Sequence, residues 1–233
     1  MEQQLTDILK RIERKATIFT TGGFRPENTL TESWIGRVFA YHEDEEIPTD
    51  EKGHLMLPLL QVYLPALPFV PDQLKDTKLI TVFISAELPD YLEESGKDWV
   101  IREYKSTEEV VIKDLRNPDS FLEPFPLKPD AVTGDCPLWD GGGLDWDTES
   151  EIVALERAGV IESYFDFIKH HYETKLGGYP SFCQPGVDFG EGFEFVFQVS
   201  SDSKANLNVV DNGSLMFSKN SETGIWRVYY DFY

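Results

Sequence analysis

Cysteine is scarce in this chain: Cys136 and Cys183 are the only two in 233 residues, far apart and with no CxxC spacing. That excludes a disulfide-stapled scaffold and points to a reduced, cytoplasmic protein, with a single bridge between the two as the remaining alternative. Long apolar runs are missing too. None approaches the roughly 20 residues of a membrane helix. The start, Met1-Glu2-Gln3-Gln4-Leu5, lacks the basic and apolar regions of a signal peptide. Bases are few, 21 against 42 acids, for a net charge of -21. Nucleic-acid binding by phosphate neutralisation and docking on an anionic membrane are both disfavoured. Signature motifs of catalysis are absent: no HExxH, no GxSxG and no Walker sequence.

The remaining metal candidates fall on geometry. His170 and His171 are adjacent, and neighbours on a helix point about 100° apart, too far to share one ion well. The acidic run Asp145 to Glu156 has calcium-loop length, but Ser150 stands where an EF-hand needs glycine. Its acids suit a helix start instead. No metal and no cofactor is expected. Cys183 has only Lys175 near it in sequence, so a buried inert thiol is favoured over a nucleophile.

What the chain does contain is enough apolar material for a core, 41% hydrophobic with 13% aromatic. The acidity has two readings, solubility and attraction of a basic protein partner. The chain also says one phrase twice. Gly22-Gly23-Phe24-Arg25-Pro26 and Gly177-Gly178-Tyr179-Pro180 each precede a strand-like segment with a central glutamine, Gln61 or Gln198. A second strand-like segment, ending in Phe83-Ile84-Ser85 or Phe217-Ser218, then follows. Glycine makes the turn and proline fixes its exit. A buried glutamine must satisfy its amide, and the backbone of the glycine turn is the expected partner, with ligand recognition as the alternative.

A fixed repeat implies two related halves. Gly22 and Gly177 stand 155 apart, Gln61 and Gln198 137 apart, so the first half holds 18 more residues in that interval. The acidic loop at 42–53, with Glu43, Asp44, Glu45 and Glu46, falls inside it. Insertions of this kind map to surface loops, often on a binding face.

Along the chain, Leu5, Ile8, Leu9 and Ile12 predict a surface helix over 3–15. Strands are expected at 34–41, 59–63, 78–85, 98–105 and 108–114. Residues 117–147, with five prolines and Gly141-Gly142-Gly143, read as an ordered connection packed down by Phe121, Phe125, Trp139 and Trp146. Thr148 and Glu151 have capping-box spacing for a helix start. Gly159 divides a short helix from a longer one that turns Ile161, Tyr164, Phe165, Ile168 and Tyr172 inward. Strands return at 193–197, 214–217 and 225–230. The domain reading is therefore 1–116, 117–147 and 148–233 in one compact unit.

Lys175-Leu176-Gly177-Gly178-Tyr179-Pro180, then Gln184, then Phe197-Gln198-Val199, resembles the signature of the YwqG-like family, whose function is unknown. That family is similar in turn to the programmed-cell-death-2 proteins. The likeness is firmest over 160–217. Arg25 is inserted before Pro26 in the first phrase, and the cysteine pairs of the eukaryotic branch are absent, so no zinc role carries over. The resemblance implies a duplicated α+β fold, two related halves on antiparallel β-sheet with flanking helices. It also implies protein binding, either chaperone-like protection of a basic client or neutralisation of a toxin. The resulting expectation is a non-enzymatic, acidic protein-binding module. Trp34, Gln61, Tyr179, Gln184, Gln198 and the acids 43–46 are its ligand or partner candidates, and Gly22, Gly23, Pro26, Gly177, Gly178 and Pro180 its structural motif. The alternative is a small-ligand site or enzyme in a cleft between the halves, walled by Trp34, Gln61, Tyr179 and Gln198.

Overall fold

The apolar stripe near the start does form a helix, α1, Glu2–Ile12. Ile8 and Ile12 are buried against Ile152, Leu155 and Tyr164, and Lys10 and Arg11 sit in the last turn, where the helix dipole favours cations. The structure, a computed structural model, describes residues 2–232. Met1 and Tyr233, the outer limits of the two expected halves, lie outside the described residues.

The remaining elements are almost all strands: β1 Arg14–Thr21, β2 Ser33–Ile35, β3 Ala40–Tyr41, β4 Leu57–Tyr63, β5 Leu79–Ile84, β6 Glu93–Glu94, β7 Trp99–Tyr104, β8 Val111–Ile112, β9 Phe125–Asp135, then helix α2 Trp146–Arg157, and β10 Lys175–Gly177, β11 Phe193–Ser200, β12 Ser214–Asn220 and β13 Trp226–Asp231. Eleven of them form one antiparallel sheet in the order β6-β13-β12-β11-β10-β1-β9-β2-β4-β5-β7, and β3 pairs with β8 apart from it. The fold class is α+β, dominated by a curled, half-barrel sheet.

Side chains alternate across each strand, so cross-strand partners share a face. Ile35, Leu60 and Val82 line the concave side of one wing, and Leu176, Phe197, Phe217 and Val228 that of the other. All belong to one buried cluster. The curl brings the far edges together, with Trp99 of β7 5.2 Å from Phe217 of β12 between ring centroids. Glu103 of β7 fastens this closure. It accepts hydrogen bonds from Lys219 Nζ at 2.9 Å, Trp226 Nε1 at 2.8 Å and Thr77 Oγ1 at 2.7 Å. Burial would raise its pKa, but those three bonds outweigh it and hold the carboxyl below its usual value.

Several expectations are overturned. Residues 117–147 are not a connection. They supply β9, the longest strand, which lies at the centre of the sheet between β1 and β2. Its prolines fit because ladders end beside them. Gly22 N–H donates to Pro126 C=O at the end of the β1 ladder, so alternation turns the Pro129 nitrogen to the other side, where β2 has already stopped at Leu127. Phe125 and Trp139 are partly buried, but Trp146 is 79% exposed and Phe121 47%. The expected strand 34–41 breaks at Gly36 (φ +70°) into β2 and β3, and 108–114 shrinks to β8. The capping residue of α2 is Asp145, whose carboxylate accepts from Thr148 N–H, rather than Thr148 itself. The longer helix after Gly159 is only a single 3-10 turn, Tyr164–Asp166. Backbone from 169 to 171 is drawn elsewhere: Cys136 N–H donates to Lys169 C=O, and His171 N–H to Asp135. Among the described residues no helix is long and apolar enough to cross a membrane.

Candidate functional site

The two glutamines lie on separate strands, each beside a three-residue strand. Gln61 lies on β4, opposite Trp34 of β2, and Gln198 on β11, opposite Lys175 of β10. Both are fully buried. Gln61 Oε1 accepts from Phe39 and Ala40 N–H, each at 3.1 Å, while Nε2 donates to Glu32 C=O. Gln198 Oε1 accepts from Ser181 N–H at 3.0 Å, and Nε2 donates to the carbonyls of Tyr172 and Glu173. Each amide thus fastens the chain that has just left the neighbouring strand. The nitrogen and the oxygen of both amides each have a partner inside the fold.

The glycine that precedes each fastened segment is Gly36 in one wing and Gly177 in the other, both with positive φ. Gly22 and Gly23 sit instead past the end of β1, with Pro26 part-exposed in the following loop. At Gly36 a Cβ would run into Glu123 C=O, and at Gly178 into the Asp135 carboxylate. Pro180 and Tyr179 are buried, and Arg14 stacks 4.2 Å above the Tyr179 ring. Trp34 is also buried, 4% exposed. Trp34, Gln61 and Gln198 therefore stand inside the packing, and Tyr179 lines a cavity of about 340 Å³ beside Arg14, Phe182 and Phe189 that none of the other three reaches.

Around Gln198 lies a polar cluster that reading the sequence missed. Asp135 and Lys175, both at 0% exposure, pair at 2.8 Å. Asp135 also accepts from His171 N–H at 2.7 Å and Tyr179 N–H at 2.8 Å, and Lys175 donates to His171 C=O. Burial lowers the Lys175 pKa, and Asp135 opposes that. His170 Nδ1 contacts Cys136 C=O at 2.7 Å, which requires a proton on Nδ1, so Nε2 is left to accept from Ser181 Oγ at 2.8 Å. Burial first, then the Lys175 charge, push the His170 pKa down to about 4. A serine on a neutral imidazole resembles an activated nucleophile. Here Ser181 is 2% exposed and its Oγ also meets His171 C=O and Gln198 Nε2. The pair braces the turn after β10 and presents no hydroxyl to solvent. Nothing in the polar stretch Glu173-Thr174-Lys175 announced this cluster. Burial pushes the Cys136 thiol up to about 11, consistent with an inert role. No disulfide forms, and among the described residues no group of three or more His, Cys, Asp or Glu is arranged to hold a metal.

The acidic loop divides into structural and open carboxylates. Glu45 is spent on the fold, accepting from His42 N–H at 2.7 Å and Tyr104 Oη–H at 2.6 Å, with Arg102 Nε 3.5 Å away. Glu43, Asp44 and Glu46 are exposed. The β3–β8 pair brings a second acidic turn beside them, since His42 Nδ1 lies 3.3 Å from Glu109 C=O. Glu108 and Glu109 are exposed there. Lys113 spends its charge on the main-chain carbonyls of Glu43 and Glu45. Among the described residues none of these five exposed carboxylates has an ion-pair partner. Gln184 is exposed elsewhere, on a cavity of about 350 Å³ at the outer edge of β13. Neither the known protein families nor the curated proteins contain a match to this chain.

Proposed function

We propose that the protein is an acidic protein-binding module, YwqG-like in kind, that docks a basic protein partner in a reducing, cytoplasmic setting. The observation that carries this is the layer of five exposed carboxylates on β3–β8, Glu43, Asp44, Glu46, Glu108 and Glu109, left without counter-ions in a chain of charge -21. Uncompensated charge of one sign steers an oppositely charged partner and accelerates encounter. Chaperone-like shielding and toxin neutralisation both use such a surface.

The kinship half of the proposal is a duplication with an exchanged strand. In it β2-β4-β5-β7 correspond to β10-β11-β12-β13, and β9 to β1. The register supports this, because β1 and β9 pair symmetrically about Thr20 and Lys128, with Phe19 opposite Pro129 and Thr21 opposite Leu127. Under this correspondence Gly36 matches Gly177, and Glu43, Asp44 and Glu46 of the acidic layer fall between β2 and β4.

The test is association kinetics. A basic protein captured from native lysate is mixed with wild type and with the variant Glu43→Gln, Asp44→Asn, Glu46→Gln, Glu108→Gln, Glu109→Gln. The association rate should fall roughly tenfold in the variant and fall with added salt for wild type. An unchanged rate in the variant removes the carboxylate layer from the reading.

A further inference from the structure

Strand β13 is paired along its whole length with β12 but only partly on its other side. There β6 covers Arg227 and Val228 and no more. Ser95 N–H donates to Trp226 C=O at 3.1 Å, which fixes the backbone groups of Trp226, Val228 and, by alternation, Tyr230 as those facing that edge. The chain turns away at Leu92, which has φ +53°, so among the described residues no strand lies beside Tyr230 on that side.

The cavity of about 350 Å³ lies at this place, lined by Tyr91, Gln184, Tyr229, Tyr230, Asp231 and Phe232. Tyr91, 64% exposed, meets Tyr229 edge-on at 5.4 Å, and Tyr230 lies parallel to Phe232 at 6.4 Å. Adjacent strand residues project to opposite faces, so rings flank the open edge on both sides. Asp231 is 4% exposed. Its carboxylate accepts from the N–H groups of Cys183 at 2.8 Å, Gln184 at 2.9 Å and Phe232 at 2.9 Å. Among the described residues no cation pairs with it.

We propose that this edge takes up an extended cationic peptide segment as an added strand, with a lysine or arginine side chain seated on the face that carries Tyr91 and Tyr229. Main-chain groups at Tyr230 supply strand addition. Aromatic faces are the chemistry that holds a cation, and the net charge of -21 attracts one. Two copies of the chain, each at -21, repel one another, which disfavours edge-to-edge pairing with itself. The site is separate from the β3–β8 carboxylates and shares with them only the cationic character of its partner.

The experiment titrates an acetylated peptide of alternating threonine and valine with one central arginine, alongside its twin with central glutamate. Binding is read by calorimetry and by protection of the Tyr230 amide from exchange. The arginine peptide should bind wild type at least about tenfold more tightly than the glutamate peptide. Tyr91→Ala, at an exposed position, should weaken it about tenfold. Tyr230→Pro removes an outward-facing N–H without touching the β12 ladder and should abolish binding with the fold retained by circular dichroism. The β3–β8 variant should bind the peptide as wild type does. Equal affinity for both peptides, no measurable binding, indifference to Tyr91→Ala and Tyr230→Pro, or a dimer that Tyr230→Pro dissolves would each overturn the proposal. Loss of peptide binding in the β3–β8 variant would place the peptide on that layer and overturn it too.

Discussion

Asp135→Ala should be among the most damaging substitutions in the molecule. The carboxylate is fully buried and holds the Lys175 ammonium at 2.8 Å, the His171 N–H at 2.7 Å and the Tyr179 N–H at 2.8 Å. Removing one partner of a buried ion pair costs about 3–5 kcal/mol, because the other charge stays desolvated. Two orphaned N–H groups would add about 1–3 kcal/mol each if left dry. They share the vacated space, and one water could serve both, so the total expected is about 5 kcal/mol. A domain has only roughly 5–15 kcal/mol to lose. Urea unfolding followed by tryptophan fluorescence measures the change. The double variant Asp135→Asn, Lys175→Met carries no charge, and its amide oxygen can still accept from Tyr179. It should recover about 2 kcal/mol or more relative to Asp135→Ala. A loss under about 1 kcal/mol for Asp135→Ala would refute the argument. So would equal stability of the single and double variants.

Two further outcomes follow from the same region. Gly178→Ala places a Cβ against Asp135, 2.9 Å from its Cγ, at φ +69°, whereas Gly23→Ala at φ +86° meets nothing within 4 Å. Thermal melting should show a loss of about 1 kcal/mol for Gly23→Ala and about 3 kcal/mol for Gly178→Ala. Equal shifts would mean that contact with Asp135 is not what demands glycine. The His170 pKa of about 4 lies below its ordinary 6.5, so between those values the unfolded chain binds the extra proton. The stability from neutral His170 is present above pH 6.5 and is lost as pH falls toward 4, by about 3 kcal/mol at most. His170→Gln should flatten that part of the pH profile, and an unchanged slope would show that His170 is not the group responsible.

The two wings were legible because their strands carry the plainest pattern a sequence offers, an apolar run with one glutamine inside it. That each buried amide must bond backbone could be read as well, but not its partners: Gln61 holds Phe39, Ala40 and Glu32, and Gln198 holds Ser181, Tyr172 and Glu173, rather than the Gly-Gly turns. The repeated phrase misled at one point. Gly22-Gly23 matches Gly177-Gly178 in letters, but the positive-φ glycine that ends the strand beside Gln61 is Gly36. Strand β9 was hidden by Pro126 and Pro129 and by an exposure pattern without clean alternation. Its pairing partners are remote in sequence, and nothing local announces them. The spacing of Ile161, Tyr164, Phe165 and Ile168 fits a helix, but Tyr164 Oη–H donates to Pro137 C=O and His171 N–H to Asp135. Tertiary bonds there outcompete the helical ladder. The open edge of β13 was beyond sequence reading altogether, since it exists only because the chain leaves β6 at Leu92.

Strand β1 has a consequence for how the chain comes to be folded. It is made before both of the strands it pairs with among the described residues, Phe125–Asp135 and Lys175–Gly177. Until those residues are made, β1 is a strand with two bare edges, and β2-β4-β5-β7 wait for the β9 strand that flanks them. A fragment ending before Phe125 therefore contains a wing without its innermost strand, and the fragment beginning there lacks β1. Neither piece is a domain, but each holds what the other needs. Severed within residues 117–124, the two should find one another in solution and assemble as a non-covalent pair.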